Sequence, residues 1–155
     1  EDSIGLADTR ALGRTRQASG QEALMATPEN TFIGSVHRLL PHELYRMKNH
    51  NQYNGGIPDC WYSGPAGDLW IEYKFIAVPK RDSTQIKIDL SELQKNWIMS
   101  RYSEGRTVGV IVGCKDGGVW MPGITWQVPY TAKSFRDSIL GRIALATIIE
   151  GLTTR

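Results

Sequence analysis

Two strand-like runs constrain this chain most. Ile57 to Trp61 and Leu69 to Phe75 flank Ser63-Gly64-Pro65-Ala66-Gly67-Asp68, which has the composition of a hairpin connection. A β-branched run, Thr107 to Gly113, is bounded by glycine and reads as a buried strand, and Gly117 to Met121 reads as a shorter one. The pattern also predicts strands over Gln85 to Ile88 and Trp126 to Val128.

Helical signals alternate with these runs. Thr27-Pro28-Glu29 combines a capping residue, a first-turn proline and an acid suited to the helix dipole. Phe32, Ile33, Val36, Leu39 and Leu40 follow at helical spacing until Pro41. Ser91 and Gln94 are spaced for a capping box, opening a helix through Leu93, Trp97 and Ile98 to Gly105. One amphipathic helix is expected over 132–152, with Phe135, Ile139, Ile143, Leu145, Ile148 and Ile149 apolar. His42 to Asn54 reads as a loop or irregular helix closed by the turn Asn54-Gly55-Gly56. The expected class is α/β, a central mixed sheet flanked by helices. Residues 1–26, with Arg10, Arg14 and Arg16 among small polar residues, read as an N-terminal arm, and 27–155 as one domain. The first residue is not Met, so the arm is expected to be processed or partly foreign.

Composition narrows the classes. A chain of 155 residues, 41% hydrophobic and 22% charged, is ordinary for a globular protein and can bury about two thirds of its unfolded surface. Cys60 and Cys114 are too few for a disulfide framework and cannot form a zinc site alone, so both are read as packing residues in a reducing cytoplasm. Neither a leader nor a membrane-length apolar run is evident. Eighteen Lys and Arg against 16 Asp and Glu give +2, so any positive surface for nucleic acid must be local. Lys48, Lys80 and Arg81, with Arg46 and Lys87, are the candidates; a solvated face is the competing reading.

The chemistry lies in Gly56-Ile57-Pro58-Asp59 and Ile71-Glu72-Tyr73-Lys74. Alternation along a strand puts Glu72 and Lys74 on one face and Ile71 and Tyr73 on the other. Hairpin pairing brings Asp59 opposite Glu72. Two carboxylates that close repel unless a cation separates them, and a hard divalent ion with oxygen ligands fits. An adjacent lysine can stabilise a pentacoordinate phosphate or position water. The competing structural reading has Asp59 capping a turn and Glu72 and Lys74 forming a surface pair worth about 0–1 kcal/mol.

The arrangement resembles the PD-(D/E)xK nuclease superfamily, its signature being Pro58-Asp59 followed by Glu72-Tyr73-Lys74. The resemblance implies a restriction-endonuclease-like core ordered helix, three strands, helix, strand over roughly 27–113. It implies a Mg²⁺-dependent DNA endonuclease, with Mn²⁺ as a substitute, leaving a 5′-phosphate and a 3′-hydroxyl. Asp59, Glu72 and the Tyr73 main-chain carbonyl would hold the metal, with Glu29 direct or through water; Lys74 would assist the nucleophile and Gln94 would complete the site. For Glu29 and Gln94 the alternatives of dipole partner and capping residue stay open. Double-stranded DNA as substrate and a homodimer cutting both strands would follow. Phage homing endonucleases are the nearest small members, with junction resolvases, restriction or repair nucleases, and a non-catalytic DNA-binding module as alternatives.

Other motifs carry less. His37, His42 and His50 lack metal-pair spacing, His50-Asn51 with Asn54 matches a histidine-metal nuclease only in part, and Gly113, Gly117 and Gly118 form no phosphate loop. Trp61, Trp97, Trp120 and Trp126 read as core residues rather than base-stacking platforms.

Overall fold

A computed structural model describes residues 27–50 and 55–155; the expected arm over 1–26 lies outside them. In chain order the elements are α1 (Pro28–His37), β1 (Tyr45–Lys48), β2 (Cys60–Gly64), β3 (Gly67–Phe75), α2 (Glu92–Ser103), β4 (Val108–Cys114), β5 (Gly117–Pro122), a 3₁₀ turn (Thr125–Gln127), α3 (Ala132–Asp137) and α4 (Arg142–Thr154). The strands form one five-stranded sheet in sequence order. Neighbours are antiparallel except β3 and β4, which run parallel and are joined through α2. The class is α/β, a mixed sheet flanked by helices; three strands do precede α2, but they are β1, β2 and β3 rather than the expected runs at 57–61, 69–75 and 85–88.

The pleat sorts side chains into two cores. Cys60, Tyr62, Leu69, Ile71 and Tyr73 point to the face covered by Phe32, Ile33 and Val36 of α1 and Leu145 and Ile149 of α4. Val108, Val110 and Val112 of β4 point to the other, with Ile98 of α2, Phe135 of α3 and Leu90. Phe32 seats against Gly113, where an added Cβ would come 2.6 Å from its ring. Full burial of such an aromatic contributes about 1.5–3 kcal/mol.

Four expectations are corrected. Residues 45–48 form strand β1, pairing with β2, instead of a loop or irregular helix. Gln85 to Ile88 is not a strand: Gln85 makes one isolated bridge to Thr131, while Ile86 and Ile88 pack on the second core. Trp126 to Val128 is no strand either, because Trp126 lies in the 3₁₀ turn. The helix over 132–152 is broken where Leu140 exchanges backbone hydrogen bonds with Gly118 (2.9 and 2.8 Å), and Gly141 restarts the turn as N-cap of α4. That break resets the helical phase, leaving Ile143 72% exposed rather than in the core.

Cys60 and Cys114 are buried free thiols, as expected. The expectation of core tryptophans holds only in part: Trp97, Trp120 and Trp126 pack at the margins of the cores without being buried, while Trp61 lies in neither and stacks on Trp70 at 5.6 Å, which meets Trp97 at 5.2 Å. Among the described residues no helix is long and apolar enough to cross a membrane.

Candidate active site

The site forms where the sheet comes apart. β2 starts at Cys60, paired with Ile71, so β3 from Glu72 onward has no partner strand on that side. The N–H groups of Trp70 and Ile76 go to the β4 side, bonding Thr107 and Gly113 carbonyls at 3.1 and 2.9 Å. Backbone groups alternate direction along a strand, so Tyr73 turns its N–H and C=O the opposite way, toward the missing neighbour. Asp59 fills the gap: its Oδ2 accepts the Tyr73 N–H at 2.9 Å. In return, the Asp59 N–H donates to Glu72 Oε2 at 3.2 Å. The two acids thus replace one rung of the ladder.

Glu72 is 1% exposed and is held by three donors. Besides Asp59 N–H, its Oε1 accepts Gln94 Nε2 at 2.5 Å and sits 3.2 Å from the Lys74 ammonium. Gln94 is fixed in turn by the anticipated capping box: Ser91 N–H donates to its Oε1 (2.9 Å) and Ser91 Oγ accepts its N–H (3.2 Å). The box and the contact to Glu72 use different atoms of one amide, so the two readings of Gln94 coexist. Gly56, three residues before Asp59, lies against α2; its φ is 96°, and a Cβ there would lie 2.6 Å from the Leu93 carbonyl oxygen.

Burial drives the electrostatics. Desolvation, then the Asp59 charge, pushes Glu72 up to about 8 against the pull of Lys74. Asp59 is also raised, chiefly by desolvation, although the Tyr73 N–H and the Lys74 and Lys48 charges oppose the shift. Glu29 is raised by burial and by Asp59, and lowered by Lys74 and Lys48, which places it within electrostatic reach of the pair. The site therefore holds more buried acid than its lysines neutralise.

A hard divalent cation could be held here. Asp59 and Glu72 could supply carboxylate oxygens, with the Tyr73 carbonyl as a main-chain oxygen on the same side. Among the described residues no three His, Cys, Asp or Glu side chains converge into a ready ligand set, so the grouping of Glu29 with Asp59 and Glu72 is electrostatic in this structure.

Lys48, nominated for DNA, lies at the site: carried by β1, its ammonium hydrogen-bonds Asn30 Oδ1 on α1. Lys80 and Arg81 are exposed on the loop after β3, which Arg136 pins by bonding the Pro79 carbonyl (2.6 Å) and Asp82. Sequence reading missed a buried relay under the site, in which His37 Nε2 meets Tyr62 Oη at 2.7 Å and Tyr62 Oη meets Tyr73 Oη at 2.7 Å. The apolar alternation around Tyr62 and Tyr73 was its only visible signal.

No family model and no curated protein matches the chain. Among solved structures it is similar to Hjc, a Holliday junction resolvase from Archaeoglobus fulgidus, an archaeal hyperthermophile. The two share 12% identity with a TM-score of 0.47, over 76% of this chain and 99% of that one.

Proposed function

We propose that the chain is a divalent-metal-dependent nuclease of the PD-(D/E)xK type that hydrolyses DNA phosphodiester bonds. The observation that carries this reading is the convergence of Asp59, Glu72 and Lys74 where β3 loses its neighbour, with Gln94 locking Glu72. A merely structural hairpin has no need of a buried acid beside a partly buried one, both with raised affinity for protons.

Asp59, Glu72 and the Tyr73 carbonyl would hold Mg²⁺, or Mn²⁺ in its place, with Glu29 reaching it directly or through water. When bound, the ion supplies Lewis acidity and a more acidic water. Lys74, 21% exposed beside Glu72, presents its ammonium to a phosphate oxygen or to the attacking water. Gln94 keeps Glu72 in one rotamer, and Lys48 adds positive charge at the mouth of the site. A homodimer would place two such sites on opposite strands of a duplex. The phage homing assignment and the junction resolvase assignment use the same site and differ in DNA shape.

The test incubates the full chain with plasmid, linear duplex, flapped DNA and a four-way junction, in Mg²⁺, Mn²⁺, Ca²⁺ or EDTA. Cleavage with Mg²⁺ or Mn²⁺, abolished by EDTA and by Asp59→Asn, is expected. Intact DNA of every shape in both metals would refute the proposal.

A further inference from the structure

A cavity of about 350 Å³ opens between α1, α4 and the end of β3, lined by Pro28, Thr31, Phe32, Ser35, Phe75 and Arg142. Pro28 and Phe75 are chain neighbours of Glu29 and Lys74, and Phe75 packs on the first core, so the cavity lies on the α1 and α4 side of β3, one residue along the chain from the candidate site. The volume lies near the lower end of small-ligand pockets, roughly 300–1,000 Å³.

Its chemistry is that of a cation held by neutral groups. Arg142 Nε donates to Ser35 Oγ at 2.8 Å, Nη1 reaches the Lys115 carbonyl at 3.4 Å, and the guanidinium lies 5.2 Å from the centre of the Phe32 ring. Ser35 Oγ is itself fixed on the Phe32 carbonyl at 2.6 Å. Among the described residues Arg142 forms no ion pair, and Nη2 has no acceptor. A guanidinium fixed by two neutral acceptors and an aromatic face has already lost much of its rotamer freedom, which lowers the entropic cost of taking an anion. Thr31 adds an exposed hydroxyl, and Phe75 and Pro28 supply an apolar wall.

We infer that this cavity is a nucleotide subsite. Arg142 takes a non-scissile phosphate of the bound strand through Nη2, Thr31 donates to the same phosphate, and the sugar or base lies against Phe75 and Pro28. The inference rests on the nuclease reading and narrows it: the enzyme grips the strand beside the cut through α1 and α4 as well as through the carboxylate site. A phosphate matches the fork of a guanidinium.

Binding of the full chain to labelled DNA in Ca²⁺ is measured by fluorescence anisotropy across a KCl series. The DNA carries neutral methylphosphonates at single positions around the cut. Arg142→Gln should weaken binding about tenfold and lower the salt slope by about one. One methylphosphonate position should weaken the wild type yet leave Arg142→Gln unaffected. Thr31→Val, which leaves the ties of Arg142 intact, should show coupling at the same position. Equal salt slopes, with no coupling at any phosphate for either variant, overturn the inference while the wild type still cuts. A wild type that neither binds nor cuts DNA overturns the nuclease reading itself.

Discussion

Replacing Gln94 by alanine removes one amide that serves two parts of the structure. Its Nε2 donates to buried Glu72 and its Oε1 accepts the Ser91 N–H at the start of α2. A hydrogen bond to a charged group contributes about 1.5–3 kcal/mol, and half of a capping box about 0.5–1 kcal/mol. The combined loss is roughly 2–4 kcal/mol, or about 5–15 °C in Tm for a chain of this size. Melts followed by circular dichroism at pH 8 in EDTA measure it. Ser91→Ala is the control: it removes the hydroxyl cap but leaves the contact to Glu72, so it should cost less. Gln94→Glu retains an acceptor for Ser91 while facing Glu72 with a second carboxyl; its penalty should grow from pH 5 to pH 8 as the shared proton is lost. An alanine variant melting within about 2 °C of the parent would mean that Gln94 does not hold Glu72.

Glu72→Gln should raise Tm in EDTA above pH 8. The folded-state pKa of this acid is raised, so its stabilising effect is present below the ordinary carboxylate range and lost as pH rises through about 8. The gain is on the order of a few kcal/mol, and Mg²⁺ should raise the Tm of the parent only; equal stabilisation of both by Mg²⁺ would remove Glu72 from the metal site. Lys74→Met keeps the side-chain stem but should lower single-turnover cleavage about 10²–10⁴-fold when assayed well below the Tm of the variant, and parent-rate cleavage would refute its role. His37 is depressed to about 4 by burial, then by Arg46 and Lys48. It therefore contributes stability above its ordinary pKa of about 6.5, lost as pH falls from there toward 4, roughly 2 kcal/mol after allowing for its partial exposure. The stability difference between parent and His37→Gln should change across that window, and a constant difference would argue against a buried neutral imidazole.

The sequence exposed those elements whose side chains meet a core. β3 and β4 were legible because apolar residues line up on a buried face, and α1 because proline, acid and apolar spacing agree. β1 was not, since Tyr45 and Met47 point to solvent and Arg46 and Lys48 are only partly covered; an edge strand need not alternate apolar with polar. Gln85 to Ile88 shows the opposite failure: Ile86 and Ile88 alternate correctly, yet no neighbouring strand is there to pair with them. Periodicity reports which side chains are buried, and ladder formation depends on a partner found elsewhere in the chain. The long C-terminal helix fails for a similar reason, because the bridge from Leu140 to Gly118 competes with helix continuation and Gly141 lowers the cost of yielding to it.

The candidate site was legible through the same alternation, which puts Glu72 and Lys74 on one face and sends Tyr73 to the other. What alternation could not supply is the end of β2 at Cys60, the event that frees the Tyr73 backbone and gives Asp59 its place. Once that gap exists, Tyr73 links both layers. Its N–H fixes Asp59 beside β3, while its hydroxyl, through Tyr62, reaches His37 on the helix whose first turn carries Glu29. Glu29 and Asp59 are therefore tied to one residue of β3 by two routes, one through the backbone and one through the first core. Tyr62→Phe should therefore speed backbone amide exchange along α1, whereas Asp59→Ala should leave α1 protected and speed exchange only at Tyr73; equal exchange in α1 for both variants would refute the two routes.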